Sequence, residues 1–200
     1  MISFLQGRVT EALPTQVVID VNGVGYEVLI PLSSFDQLPA PGGEVKLLTH
    51  LAIRDDAHVL YGFMSETERD LFRLLIRHVT GIGPKLALNV LSGTTPSSFR
   101  AAVVHGDVKA LSGISGVGKK TAERIVVELK DKLGDDLPLG PEGGGVVSAE
   151  DKMLADAVSA LVALGSKPKE ARDAIRAAAA MLGPNQPVDA LVRAALQKGK

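Results

Sequence analysis

One short pattern occurs twice in the middle of this 200-residue chain and constrains its fold more than any other feature. The first copy reads Thr80-Gly81-Ile82-Gly83-Pro84-Lys85-Leu86-Ala87, and the second reads Ser115-Gly116-Val117-Gly118-Lys119-Lys120-Thr121-Ala122. Each is Gly-apolar-Gly, then a residue suited to open a helix, then lysine and a run of helix formers. Glycine reaches positive φ without a steric cost and lets the backbone come close to a ligand. A hairpin of this kind delivers the chain into a helix N-terminus, where unpaired N–H groups and the helix dipole favour an anion. A lysine just inside that helix suits phosphate. The copies lie 35 positions apart, which describes an internal duplication of helix, hairpin and helix. Two such corners suit a polymer of phosphates better than a lone nucleotide.

Charge supports that reading once it is resolved along the chain. The net charge of −1 is unpromising for a nucleic-acid binder. Residues 1–64, however, hold three Lys/Arg against seven Asp/Glu, whereas residues 65–134 hold eleven against seven. The positive segment is the one with both hairpins, as attraction to phosphate requires. Aromatic residues make up only 4% and tryptophan is absent, so base stacking on aromatic platforms is disfavoured against backbone gripping. Cysteine is absent, which removes disulfides, thiol nucleophiles and Cys-based metal sites. The four histidines (His50, His58, His78, His105) form no ligand pattern. No stretch approaches the roughly 20 apolar residues of a membrane span, and the N-terminus lacks the features of a signal peptide. The expectation is a cytoplasmic protein with no metal, no cofactor and no membrane partner.

The predicted fold class is α+β, in four stretches. Residues 1–64 carry five β-rich runs, Ile2–Thr10, Gln16–Val21, Gly25–Ile30, Val45–Ile53 and Val59–Phe63. Asn22-Gly23 is a hairpin turn signal, and Pro31 with Pro39-Ala40-Pro41-Gly42-Gly43 breaks the next connection. Five short strands in that length suggest a small closed barrel of the OB-fold type. Residues 65–133 read as helical, opening on the capping-box signature Ser65-Glu66-Thr67-Glu68. Helices are expected from there to Val79, over Leu86–Leu91, Ser97–His105 and Val108–Leu111, and over Lys119–Leu133. Residues 134–147 have the composition of a flexible linker spanning roughly 20 Å. Residues 148–200 read as three helices, the first capped at Ser148 and stopped at Gly165. The second is capped at Ser166 and ends at Gly183-Pro184, and the third is Pro187–Gln197. Leu154, Val158, Leu161, Leu164, Ile175, Met181, Leu182, Leu191, Val192 and Leu196 are the candidate core of this small domain. Its size suits a docking module better than an active site.

The hairpins assign roles by geometry. Backbone N–H groups around Gly81, Gly83, Gly116 and Gly118 would hold phosphate oxygens, and Lys85, Lys119 and Lys120 would supply charge. Arg124 lies one turn beyond Lys120 and either reaches the same strand or pairs with Glu128 at i+4. Residues Gly113 to Lys120 nearly match a P-loop, but Lys120 stands where the Mg²⁺-binding hydroxyl belongs. A glycosylase or lyase would need a nearby acid. Lys120 with Asp135 or Asp136 is the pair available, yet both aspartates are assigned to the linker, where nothing holds them accurately. Arg54-Asp55-Asp56-Ala57, between the fourth and fifth runs, reads as a polar turn whose two carboxylates would repel phosphate.

The order of these parts resembles the RuvA family, the Holliday-junction-binding subunits of bacterial branch-migration complexes. The resemblance is carried by Asn22 to Val28, Arg54-Asp-Asp-Ala57 before Leu60-Tyr-Gly-Phe63, both hairpins through Leu88 and Arg124, and Ala160-Leu-Val-Ala-Leu-Gly165. It implies a homotetramer on an open, nearly flat four-way DNA junction, bound without regard to sequence. Asp55 and Asp56 would be the acidic pin at the crossover. The C-terminal domain would contact the hexameric ATPase RuvB, with Leu161, Leu164, Gly165 and Ser166 in the contact, and RuvC would join as resolvase. ATP hydrolysis would belong to RuvB and not to this chain. Two departures stand out: the residue after Leu164-Gly165 is usually aromatic and here is Ser166, and the pin is Asp-Asp where Glu-Asp is common.

Overall fold

The computed structural model describes residues 1–135, 149–183 and 186–198. They fall into two compact units, residues 1–133 and 134–200.

The first unit begins with strands β1 (Phe4–Leu13), β2 (Gln16–Val21), β3 (Val24–Leu29), β4 (Glu44–Ile53) and β5 (His58–Phe63). They close into a barrel in the order β1-β2-β3-β5-β4, with β4 returning to β1. The β3–β5 pairing is parallel and the other pairings are antiparallel. That is the five-stranded arrangement expected of an OB-fold. Alternation places Leu5, Val9, Val17, Ile19, Val28, Val45, Leu47 and Leu60 inside. β1 runs three residues beyond its expected end, through a register shift between Val9 and Glu11 that lets one strand serve two neighbours. At the β2–β3 turn Asn22 (φ 52°) and Gly23 (φ 89°) both take the left-handed region, and the Gly23 N–H donates to Asp20 Oδ1 at 2.7 Å.

The break expected at Pro31 contains a short helix, α1 (Leu32–Phe35), absent from the sequence reading. It matters because of what it carries. Ser34 is fully buried, and the Ser33 and Ser34 hydroxyls donate to the carboxylate of Glu68 in the first turn of α2 (Glu66–His78). Ser65 does cap α2, accepting from the Glu68 N–H at 3.2 Å. The Glu68 side chain completes no capping box there; it is buried between the barrel and the helices. The Leu32 N–H reaches Ser92 Oγ in α3 (Pro84–Gly93) at 3.1 Å. Phe72 of α2 meets Tyr61 and Phe63 of β5 at centroid separations of 5.1 and 5.0 Å. Barrel and helices in this unit therefore share one packed junction.

The remaining helices of the first unit are α4 (Pro96–His105), α5 (Val108–Ser112) and α6 (Lys119–Asp135). Thr95 caps α4 through the Ser98 N–H, and Asp107 caps α5 through the Ala110 N–H. α6 runs two residues past its expected end, so Asp135 closes the helix and does not open a linker. The rest of the proposed linker, 136–147, with Asp136 and the Ser148 cap, lies outside the described residues.

The second unit holds α7 (Ala149–Ala163), α8 (Pro168–Leu182) and α9 (Val188–Lys198). α7 ends in a Schellman motif, with the Gly165 N–H on Val162 O and the Ser166 N–H on Leu161 O. Lys167, not Ser166, is the N-cap of α8; Ser166 is already committed to closing α7. Gly183 caps the C-terminus of α8, while Pro184 lies outside the described residues. The core also departs from expectation. Leu161, Ile175 and Leu191 are buried, with Leu154, Val158 and Val192 packed partly against them. Leu164, Met181, Leu182 and Leu196 are exposed, and Ala157, Ala171, Ala178 and Ala195 fill the centre instead. The helices meet along the face that carries the four alanines, while Leu164 falls beyond the end of α7 and Met181, Leu182 and Leu196 lie outside that contact.

Candidate nucleic-acid interface

The two hairpins have the same construction. Val79 ends α2, Gly81 turns at φ 86°, and the Ile82 N–H donates back to Val79 O at 3.1 Å. Ile114, Gly116 (φ 84°) and Val117 repeat this, with the Val117 N–H on Ile114 O at 2.9 Å. Ile82 and Val117 are buried, so the apolar residue between the glycines is a plug that holds each corner down. Gly83 and Gly118 then open α3 and α6, accepting from the Ala87 and Ala122 N–H groups. The amides of Gly83 and Gly118 donate to no protein group among the described residues. Lys85, Lys119 and Lys120 are exposed beside them.

The glycines differ in why they are needed. Gly81 and Gly116 occupy the left-handed region, which a side chain disfavours. Gly83 has an ordinary φ of −92°, and a Cβ at Gly83 or Gly118 would meet nothing within 4 Å. The protein does not require glycine at these two places.

Arg124 does not form the expected i, i+4 pair with Glu128. Its Nη1 donates to Thr80 O at 2.7 Å, and Glu128 Oε2 accepts from the Thr80 N–H at 2.8 Å. These two α6 side chains each hold one backbone group of hairpin one instead of pairing with each other. The sequence carries only the i, i+4 spacing of Arg124 and Glu128; that α6 passes beside Thr80 is a tertiary fact. Charge around hairpin one is positive. Burial first, then Lys132 and Arg77, hold His78 below the usual 6.5. His50, whose ring lies tilted against Phe72 at a centroid separation of 5.5 Å, is lowered by burial and then by Arg73 and Arg77. Among the described residues no cluster of His, Asp or Glu could hold a metal ion, and no helix is long and apolar enough to cross a membrane.

Asp55 and Asp56 form the tip of the β4–β5 hairpin. The Arg54 N–H donates to Ala57 O at 2.9 Å, which leaves both carboxylates exposed at the turn. Ile53, just behind them, is 67% exposed. The residues before Gly113 form helix α5, so the near-match to a P-loop lacks the strand such a loop needs. In the second unit, Leu161 is a core residue and is closed to a partner, whereas Leu164 is 66% exposed at the end of α7 beside Gly165 (φ 99°).

A closed five-stranded barrel, an acidic hairpin tip and tandem helix-hairpin-helix corners define a multidomain protein of the nucleic-acid-binding kind. Residues 1–62 match the family described as RuvA N terminal domain, residues 72–131 the SAM-like helix-hairpin-helix tandem, and residues 152–198 the RuvA C-terminal domain. The chain is 49% identical over 202 aligned positions to the Holliday junction branch migration complex subunit RuvA of Thioalkalivibrio sulfidiphilus, covering 98% of both chains. It is 52% identical over 176 positions to the protein of the same description from Chromobacterium violaceum, covering 88% of this chain and 89% of that one. The counterpart from Opitutus terrae is 44% identical, with 98% and 100% covered. This chain belongs to the RuvA family.

Proposed function

We propose that this chain is the junction-binding subunit of a branch-migration complex: it grips Holliday junctions by their sugar–phosphate backbone and hands them to a separate motor in recombination and DNA repair. The observation that carries the reading is the pair of matched corners, each with a glycine that the fold itself does not need, next to exposed lysine. Gly81, Gly83, Gly116 and Gly118 let amides approach phosphate oxygens, and Lys85, Lys119 and Lys120 neutralise the strand. Arg124 stands at the same surface, bonded to Thr80. No base reading is built in, so binding follows DNA shape and charge.

Four copies would arrange their corners around an open, planar crossover, and repetition of weak grips supplies affinity by multivalency. Asp55 and Asp56 would stand at the centre as the pin, where their charge turns phosphates aside and guides separated strands. Within the second unit, Leu164 with Gly165 and Ser166 offers the apolar contact for the RuvB ATPase; Leu161 supports it from the core. Catalysis belongs to RuvB, and RuvC acts on the bound junction, so this subunit works in the cytoplasm with no cofactor.

Electrophoretic mobility comparison of four-way, forked and linear DNA of equal length tests the reading. A clear preference for the four-way form at about 0.15 M salt is expected, with each neutralised phosphate adding roughly 0.9 to the log–log salt slope. Equal affinity for linear duplex would overturn it.

A further inference from the structure

We propose that Glu128 and Arg124 are positioning residues for DNA binding, which lock hairpin one onto the helix that grows out of hairpin two, so that the two corners meet DNA as one preset unit. The inference rests on reading the hairpins as phosphate grips. Thr80 immediately precedes Gly81, so its two peptide groups set the course of the corner that follows. Both are held by one helix: the N–H by Glu128 at 2.8 Å and the carbonyl by Arg124 at 2.7 Å. Arg124 Nη1 also lies 3.0 Å from where a Cβ on Gly81 would stand, so the guanidinium lies against the hairpin backbone. α6 starts at Lys119, directly after Gly118. A displacement of hairpin two would therefore be passed through α6 to hairpin one.

The internal duplication shows that this clamp is particular to one side. The positions 35 residues earlier are Asn89 and Gly93. Asn89 Nδ2 stands 3.5 Å from the Cβ position of Gly116, with Leu86 Cδ1 nearer at 3.0 Å. Gly93 has no side chain to answer Glu128; the nearest atom to its Cβ position is Ile114 Cγ2 at 3.2 Å. Hairpin two is thus seated on largely apolar contacts and hairpin one on charged hydrogen bonds.

The sign of one substitution separates this role from plain electrostatics. A carboxylate on a phosphate-binding face repels DNA, so charge alone predicts tighter binding when Glu128 is removed. The clamp predicts the reverse, because a corner freed from α6 must be ordered again on binding. Dissociation constants of the full-length protein for a labelled four-way junction, measured over a salt series, decide the matter. Glu128→Ala should bind on the order of tenfold more weakly with its salt slope unchanged. Glu128→Asp keeps the charge but draws the carboxylate away from Thr80, and it should weaken binding in the same direction; it serves also if Glu128→Ala does not fold. Glu128→Gln, which keeps an acceptor in place, should restore most of the affinity. Arg124→Ala should match Glu128→Ala with an unchanged slope, and the double variant should be no worse than either single one.

The clamp is overturned if Glu128→Ala and Glu128→Asp bind as tightly as the parent, or if Arg124→Ala lowers the slope by roughly 0.9, the mark of a direct phosphate contact. Gly83→Ala combined with Gly118→Ala separates the two levels. If that pair leaves junction binding intact, the grip reading itself fails and the clamp falls with it. If it weakens binding while the Glu128 variants do not, only the clamp fails.

Discussion

Gly83 and Gly118 stand where a methyl group would touch nothing in the protein, whereas Gly81 and Gly116 turn through a region of φ that a side chain resists. Alanine at Gly83 and Gly118 should separate stability from binding. Gly81→Ala or Gly116→Ala strains the backbone and meets Arg124 Nη1 or Leu86 Cδ1 at 3.0 Å. A thermal melt should show a loss of about 1–2 kcal/mol. At Gly83 and Gly118 two small effects oppose each other: alanine is the poorer N-cap, but it lowers the entropy of the unfolded chain. The melting temperature should hardly move, while affinity for four-way DNA falls on the order of tenfold. The four glycines were visible in the sequence as one repeated motif. Their division into two that shape the corner and two that clear its outer surface was not, because it depends on φ and on the space around each Cα.

Elements were legible where the signal is local. Ser65 caps α2, Thr95 precedes Pro96 at the start of α4, and Asn22-Gly23 makes the β2–β3 turn, all as short-range chemistry predicts. Local rules misled where a side chain had a better distant use. Glu68 sits at the capping-box position, yet its carboxylate goes to Ser33 and Ser34, more than 30 residues away along the chain. Glu68→Ala would leave the fully buried Ser34 hydroxyl without its acceptor at the barrel–helix junction and Ser33 with only Leu91 O at 3.4 Å. Chemical denaturation should show a loss of about 3 kcal/mol, much more than a cap alone is worth. In the second unit, hydrophobicity pointed to leucine and methionine as the core. Packing selected Ala157, Ala171, Ala178 and Ala195, because close helix approach rewards small volume over apolar area.

At the scale of the molecule, the net charge of −1 conceals a basic middle between acidic neighbours. A uniform average would have excluded the function that the distribution supports. The two compact units imply a division of labour that truncation can test. Removing residues 148–200 should leave four-way junction affinity within about threefold, since every proposed grip lies in the first unit, and should abolish migration driven by added RuvB and ATP. Loss of junction binding on truncation would place part of the grip in the second unit.

The sequence by itself determined the barrel strands, the duplicated corners and the helix stops at Gly165 and Gly183, because each is dictated by residues within a few positions of one another: alternation, turn glycines, caps. Only the tertiary structure decided that Thr80 is held by side chains 44 and 48 residues further along the chain, that Glu68 binds the barrel and not its own cap, and that Leu161 is buried while Leu164 is open. Those choices depend on which surfaces meet when the chain packs, and no local pattern carries that information.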